Sequence, residues 1–100
     1  MALRLEIRHE ATVEFEEAVA YYALISADLG IRFREAVSAM FTTLQATPLL
    51  YPAATAQLRK AYIGTFPYCI YYCVKGDTVS VVAVHHTSRN PKRWQRRLRK

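Results

Sequence analysis

The sequence predicts an α+β domain of order β-α-α-β-β-β, in which a helical hairpin packs on one face of a small, mainly antiparallel twisted sheet and a short basic helix closes the C-terminus. Three observations carry this expectation. Apolar residues alternate at the start of the chain, recur at three- and four-residue steps through most of its first half, and then fill three β-prone runs separated by glycine-bearing turns. A length of 100 residues suits a single domain spanning 1–100. The 52% hydrophobic content supplies a core and separates the chain from disordered sequences.

The elements follow in order. In LRLEIR (3–8), Leu3, Leu5 and Ile7 share one face and Arg4, Glu6 and Arg8 the other, the pattern of a half-solvated strand. From Glu10 to about Leu24 the period becomes helical, with Ala11, Phe15, Ala18, Val19, Tyr22 and Ile25 on one stripe. Glu10, Glu14, Glu16 and Glu17 lie early, where the helix dipole favours negative charge. Ser26 is an expected N-cap for a second helix that runs to about Ala46 and buries Leu29, Phe33, Val37, Met40, Phe41 and Leu44. Gly30 inside it either permits close approach of the first helix or marks the true joint. Pro48 ends the helix and Pro52 keeps the next segment extended. The short joint between helices of similar length implies an antiparallel pair.

Three strands are expected after the loop at 49–58. They are a short one at Arg59–Ile63, an aromatic one at Phe66–Val74, and a valine-rich one at Thr78–His86. Gly76-Asp77 between the last two is a strong hairpin signal, and Gly64 lies near the turn between the first two. The three should form a meander. Asn90-Pro91 breaks the last strand, and 92–99 could form the short terminal helix.

Charge is unevenly placed. Of the net +6, residues 1–50 contribute −3 and residues 51–100 contribute +9. A negatively charged partner, either a phosphate backbone or an acidic polypeptide, should therefore meet the C-terminal half. The two cysteines, Cys69 and Cys73, lie four apart in a strand and so about 13 Å from each other on one face. That is too far for a disulfide, and reduced core thiols are expected. His85 and His86 with these cysteines match no zinc-ligand spacing, so no metal and no cofactor is expected. No apolar run approaches the roughly 20 residues needed to span a bilayer, and the start of the chain does not read as a secretory signal. A cytoplasmic protein is the expectation.

EEAVAYY (16–22), LGIRFREAV (29–37), TPLLYP (47–52), FPYCIYYCV (66–74) and VVAVHHTSRNPKRW (81–94) resemble, in this order and spacing, the landmarks of the RelE/ParE superfamily of small bacterial toxins. The likeness covers nearly the whole chain and points to the ParE-like, plasmid-stabilisation branch. The resemblance implies a toxin of a type II toxin–antitoxin module, held inactive by a cognate antitoxin. It leaves two targets open. The RelE branch cuts mRNA on the ribosome, and the ParE branch is associated with poisoning of DNA gyrase.

Residue by residue, the nuclease pattern fits poorly. RNA cleavage needs a base for the 2′-hydroxyl, an acid for the leaving oxygen, and cations for the phosphorane. RelE-like nucleases supply these from Lys and Arg on the middle strands and a Tyr or His near the C-terminus. Cys69 follows Tyr68 where those nucleases carry an arginine, and Ala61 stands where a second base is expected. Thr87 replaces the arginine after the last strand, although Arg89 lies two residues on. Trp94 falls near the place of the terminal tyrosine, and an indole only donates. A nuclease built on this chain would have to use Arg59, Lys60, His86 and Arg89.

The preferred expectation is a ParE-like inhibitor without catalytic residues of its own. Arg89, Lys92, Arg93, Trp94, Arg96 and Arg97 would contact the target, and Arg59, Tyr62, Tyr71 and His85 the antitoxin. The antitoxin should bring an acidic amphipathic segment, as a helix in a groove or an added strand. Gyrase is the target the resemblance suggests, or the ribosome in the nuclease alternative. Sequence-specific DNA binding by the toxin alone is not expected. A third reading is an inactive relic that binds its antitoxin and assists operon autoregulation. For the tyrosines the expectation is packing rather than base stacking, with Tyr22 on the helix stripe and those of the aromatic strand across the sheet. Of His85 and His86, neighbours in a strand, one should be packed and the other solvated.

Overall fold

A computed structural model describes residues 2–89. The elements are β1 (Arg4–Ile7), α1 (His9–Ile25), α2 (Ala27–Ala46), β2 (Arg59–Ile63), β3 (Tyr68–Lys75) and β4 (Thr78–His86). The expected order holds throughout the described residues. The terminal helix expected over 92–99 lies outside them.

The helical joint is a single residue. Ser26 is extended, and its hydroxyl accepts the amide of Leu29 at 3.3 Å, which caps α2. Its own amide donates to the Tyr22 carbonyl and closes α1. Gly30 is therefore not the joint. A Cβ built there would lie 2.9 Å from the Ala23 Cβ, so the glycine is what lets the hairpin close this tightly. The stripes expected for both helices face the core, with Ala11, Ala18, Tyr22, Phe33, Val37, Phe41 and Leu44 buried and Phe15, Val19, Leu29 and Met40 packed around them. Ile25, the last residue of α1, departs from the expected stripe and is exposed.

The sheet order is β1-β4-β3-β2. β2, β3 and β4 form the antiparallel meander, and β1 lies parallel to β4 with Arg4 opposite Thr78 and Ile7 opposite Val81. Gly76, with φ of 59°, makes the β3–β4 turn. The outer edge of β1 is tied to α2: the Leu3 amide donates to the Gln45 carbonyl, and the Gln45 side-chain amide donates back to the Leu3 carbonyl. The β2 edge is partly covered by the 52–54 segment through the bond from the Lys60 amide to the Pro52 carbonyl.

A bulge divides β4. The register steps from Tyr71 opposite Ala83 to Tyr72 opposite Val81, and so skips Val82. Before it, Val79 and Val81 face the helices; after it, Val84 does, while Val82 and Ala83 both join the opposite face. The sheet is thus buried on both sides. On the helix side, Ala61, Ile63, Tyr68, Ile70 and Tyr72 complete the main core. On the other side, Leu58, Cys69, Tyr71, Val82 and Ala83 form a second cluster. Cys69 is buried, Cys73 half-buried, and both are free thiols.

Candidate functional site

The bulge decides where the two histidines point. His85 lies opposite Cys69 on the second face, buried, with its ring 5.9 Å from that of Tyr71. His86 lies opposite Tyr68 on the helix side, half-buried, with ring centroids 5.0 Å apart. Both are bound into the turn that follows. The His85 Nε2–H donates to the Arg89 carbonyl at 3.0 Å. The Ser88 amide donates to His86 Nδ1 at 3.1 Å, so the proton of neutral His86 resides on Nε2. The Arg89 amide donates to the His86 carbonyl, and the Thr87 amide to the Pro67 carbonyl. The HHTSR turn is therefore a hydrogen-bonded clasp that fixes where Arg89 leaves the sheet.

Beside this turn, a cleft of about 530 Å³ opens between α1 and the end of β4. Glu14, Glu17 and Tyr21 line its α1 wall, and Tyr68, His86 and Arg89 its sheet wall. The cleft arises because β1 stops at Ile7 while β4 continues to His86, which leaves the far half of the β4 edge to α1. Glu14 Oε1 accepts the Val84 amide at 3.1 Å and so satisfies this edge where β1 no longer reaches. The Tyr68 hydroxyl is pushed above its usual range, first by burial, while the nearby Arg89 charge pulls it down and Tyr21 and Glu17 add to the rise. Sequence reasoning did not single out this cleft. Its only trace there is that Glu14 and Glu17 lie off the apolar stripe of α1.

Across the sheet, Lys60 lies with its ammonium 4.8 Å from the Tyr62 ring centroid and 5.4 Å from that of Tyr71. Hydrogen bonding to Tyr62 is the main reason its pKa is held above the usual lysine range. Such a lysine stays charged and cannot serve as a general base at neutral pH. Burial is likewise the main cause that raises the Tyr71 hydroxyl and the Cys69 thiol, which disfavours their anions. Tyr62 itself is exposed, and Tyr71 is buried.

Arg59 belongs to neither place. Its guanidinium donates to the Tyr51 carbonyl at 2.6 Å and to the Leu49 carbonyl at 3.4 Å, and so pins the loop that follows α2. Tyr72 holds the same loop through a 2.6 Å bond from its hydroxyl to the Pro48 carbonyl. The four residues of the nuclease alternative are thus not assembled: Arg59 holds a loop, Lys60 lies on the second face, and only His86 and Arg89 share the cleft. Of the residues expected to meet the antitoxin, Tyr62, Tyr71 and His85 lie on the second face and Arg59 does not. Of those expected to meet the target, Arg89 is exposed at the cleft, and Lys92, Arg93, Trp94, Arg96 and Arg97 lie outside the described residues.

Around the joint of the hairpin, its crest, Tyr21, Leu24, Ile25 and Ile31 are 59%, 88%, 61% and 57% exposed, and Tyr21 also lines the cleft. Among the described residues, no helix is long and apolar enough to cross a membrane, and no three His, Cys, Asp or Glu side chains converge as metal ligands.

The fold and sequence together match known proteins. The family model described as "ParE toxin of type II toxin-antitoxin system, parDE" matches residues 5–91. A solved structure titled "Chromosomal ParDE TA system from P. aeruginosa" is similar in fold, with a TM-score of 0.64 at 12% identity over 87% of this chain and 98% of that one. No curated protein matches significantly. The matched segment takes in both helices and all three strands of the meander, and on that match the chain belongs to the ParE toxin family of type II toxin–antitoxin systems.

Proposed function

We propose that this protein is a growth-inhibiting toxin that acts in the cytoplasm by binding a protein target, and that a cognate antitoxin neutralises it by covering the hairpin crest. DNA gyrase is the target suggested by the family. The observation that carries the binding mode is the division of the charged residues by the sheet. Lys60 and the cleft pair His86 and Arg89 lie on opposite faces, and Arg59 is engaged with loop carbonyls. Two-sided proton transfer at one phosphate needs an acid, a base and a cation within hydrogen-bond reach of the same atoms. Docking has no such requirement. It needs exposed anchors with complementary charge, which the crest and the basic C-terminal half supply.

On this reading the antitoxin lays an amphipathic segment on Tyr21, Leu24, Ile25 and Ile31 and directs acidic residues toward the basic half of the chain. Arg89 and the basic residues that follow it form the surface for the target. The test is a supercoiling assay with purified gyrase and increasing toxin, with and without cognate antitoxin. Inhibition that antitoxin relieves is the expected result. Codon-dependent mRNA cuts on translating ribosomes, lost in His86→Ala, would replace it with the nuclease reading. Normal growth on induction without antitoxin would instead indicate a relic that serves only in operon control.

A further inference from the structure

The cleft between α1 and β4 has chemically specific walls. Tyr68 is only 8% exposed, and its hydroxyl lacks a hydrogen-bond partner among the described residues. Because Tyr68 lines the cleft, its oxygen is placed to accept from a donor that enters there. Glu17, on the opposite wall, is exposed and has no hydrogen bond or ion pair among the described residues. The charges of Glu17 and Arg89 both act on the Tyr68 oxygen, so that oxygen lies within the field of each wall. Glu14 adds a second carboxylate whose Oε1 is bound to the Val84 amide. Among the described residues, two carboxylates and one guanidinium thus line the cleft.

We propose that this cleft is a receptor for a cationic side chain, an arginine or lysine, presented by a protein partner. Glu17 accepts from the cation, the Tyr68 oxygen accepts from it at depth, and the exposed Tyr21 ring offers a cation–π face. The Tyr68 hydroxyl stays neutral, so it contributes an acceptor without a further charge to desolvate. Arg89 opposes the cation from the sheet wall, which gives the proposal a distinctive sign: removing Arg89 strengthens binding. Tyr21 belongs to both cleft and crest, so a segment docked on the crest can place a basic residue in the cleft. The identity of the partner as the antitoxin rests on the crest reading; the affinity of the cleft for a cation does not. An antitoxin acidic overall is therefore expected to carry one basic anchor here.

The test is an NMR titration of the whole toxin with N-acetyl-arginine N-methylamide, followed at the Val84 amide and the Tyr68 ring. The corresponding glutamate derivative serves as the opposite-charge probe. Expected are saturable shifts at both reporters with the arginine probe, affinity lowered about two- to fivefold by Glu17→Gln, as for an exposed ion pair, and affinity raised by Arg89→Ala. No shift at these reporters, or preferred binding of the glutamate probe, overturns the proposal. The crest reading fails separately. Leu24→Ser should abolish antitoxin binding while leaving the arginine titration unchanged, and a Leu24→Ser protein that binds antitoxin normally sinks the crest and not the cleft.

Discussion

The two faces of the β3–β4 ribbon share one backbone and hold different chemistry. The helix side gathers Tyr68, Ile70, Tyr72, Val79, Val81 and Val84 against the hairpin, with Phe33 at its centre. Phe33 is fully buried, and its ring lies 5.1 Å from each of Tyr22, Phe66 and Tyr68. The second face is smaller and carries Lys60, Cys69, Tyr71 and His85, groups that hydrogen-bond or titrate. What the difference teaches is a division of labour within single strands. Alternate residues serve stability on one side and polar contacts on the other, and a bulge at Val82 rather than strict alternation decides on which side each histidine falls.

The largest test of this division compares one truncation on each face. Phe33→Ala removes a ring from the aromatic cluster and should cost about 3–5 kcal/mol, much of the stability of a domain this size. Cys69→Ala, also fully buried but on the second face, should cost about 1 kcal/mol. Urea unfolding of both variants measures the gap. Equal losses would mean that the second cluster contributes as much as the first.

A smaller effect tests how the hairpin reaches the helix face. Gly30→Ala should gain helix propensity, about 1 kcal/mol, yet it drives a methyl group to 2.9 Å from the Ala23 Cβ and 3.1 Å from the Ala23 Cα. Because one of these contacts is backbone, the helices must part, and overpacking of this kind costs about 1–3 kcal/mol. A net loss of about 1 kcal/mol is expected. The double variant with Ala23→Gly should relieve the contact between the two methyl groups while losing propensity in α1. Its coupling energy in a double-mutant cycle isolates the contact.

The helices and the meander were legible because each rests on local periodicity. The stripe from Ala11 to Tyr22, the Ser26 cap and the Gly76-Asp77 turn are written in neighbouring residues. Less legible were features that depend on distant chain. Nothing in LRLEIR shows that it pairs parallel to β4, since the partner lies more than seventy residues away. The bulge hides in TVSVVAVHH because valine suits either face, so the residue that the register skips carries no mark. Arg59 reads as a free cation, and only the fold shows its guanidinium bound to two loop carbonyls. The cleft was missed for a similar reason. Glu14 and Glu17 satisfy a helix N-terminus in sequence terms, and their meeting with Tyr68 and Arg89 exists only once α1 crosses the free end of β4.

Alkaline pH provides a graded test that acts on both faces. Burial raises Tyr22, Tyr68 and Tyr72 on the helix side above the usual 10.0, and Tyr71 and Cys69 on the second face above 10.0 and 9.0. Each group keeps its proton to a higher pH in the folded chain than in the unfolded one. Unfolding therefore releases protons, so the stability these groups contribute is complete below their unfolded pKa values and declines as pH rises through and beyond them. The urea midpoint should hold steady to about pH 8 and then fall. Cys69→Ala should delay the onset, because the thiol titrates first, whereas Tyr72→Phe should flatten the curve only above about pH 10. A midpoint indifferent to pH over this range would mean that the phenols and the thiol are solvated in both states.

Lys60→Gln carries the smallest expected change in stability and bears most directly on function. The ammonium lies over Tyr62 and Tyr71, and its loss removes two cation–π contacts at a half-exposed site, about 0.5–1 kcal/mol. A fold of several kcal/mol tolerates that, so the variant should reach normal levels in the cell. Its effect on growth then separates the two chemistries. An RNA-cleaving site that includes Lys60 would lose transition-state stabilisation when the charge is removed, typically 10²–10³-fold for one such group. An inhibitor whose target surface starts at Arg89, on the other side of the sheet, should retain its potency. Growth arrest by Lys60→Gln equal to that of the parent, at matched protein levels, is the expected outcome. Loss of arrest in a folded Lys60→Gln protein would place the working surface on the second face and overturn the assignment of Arg89.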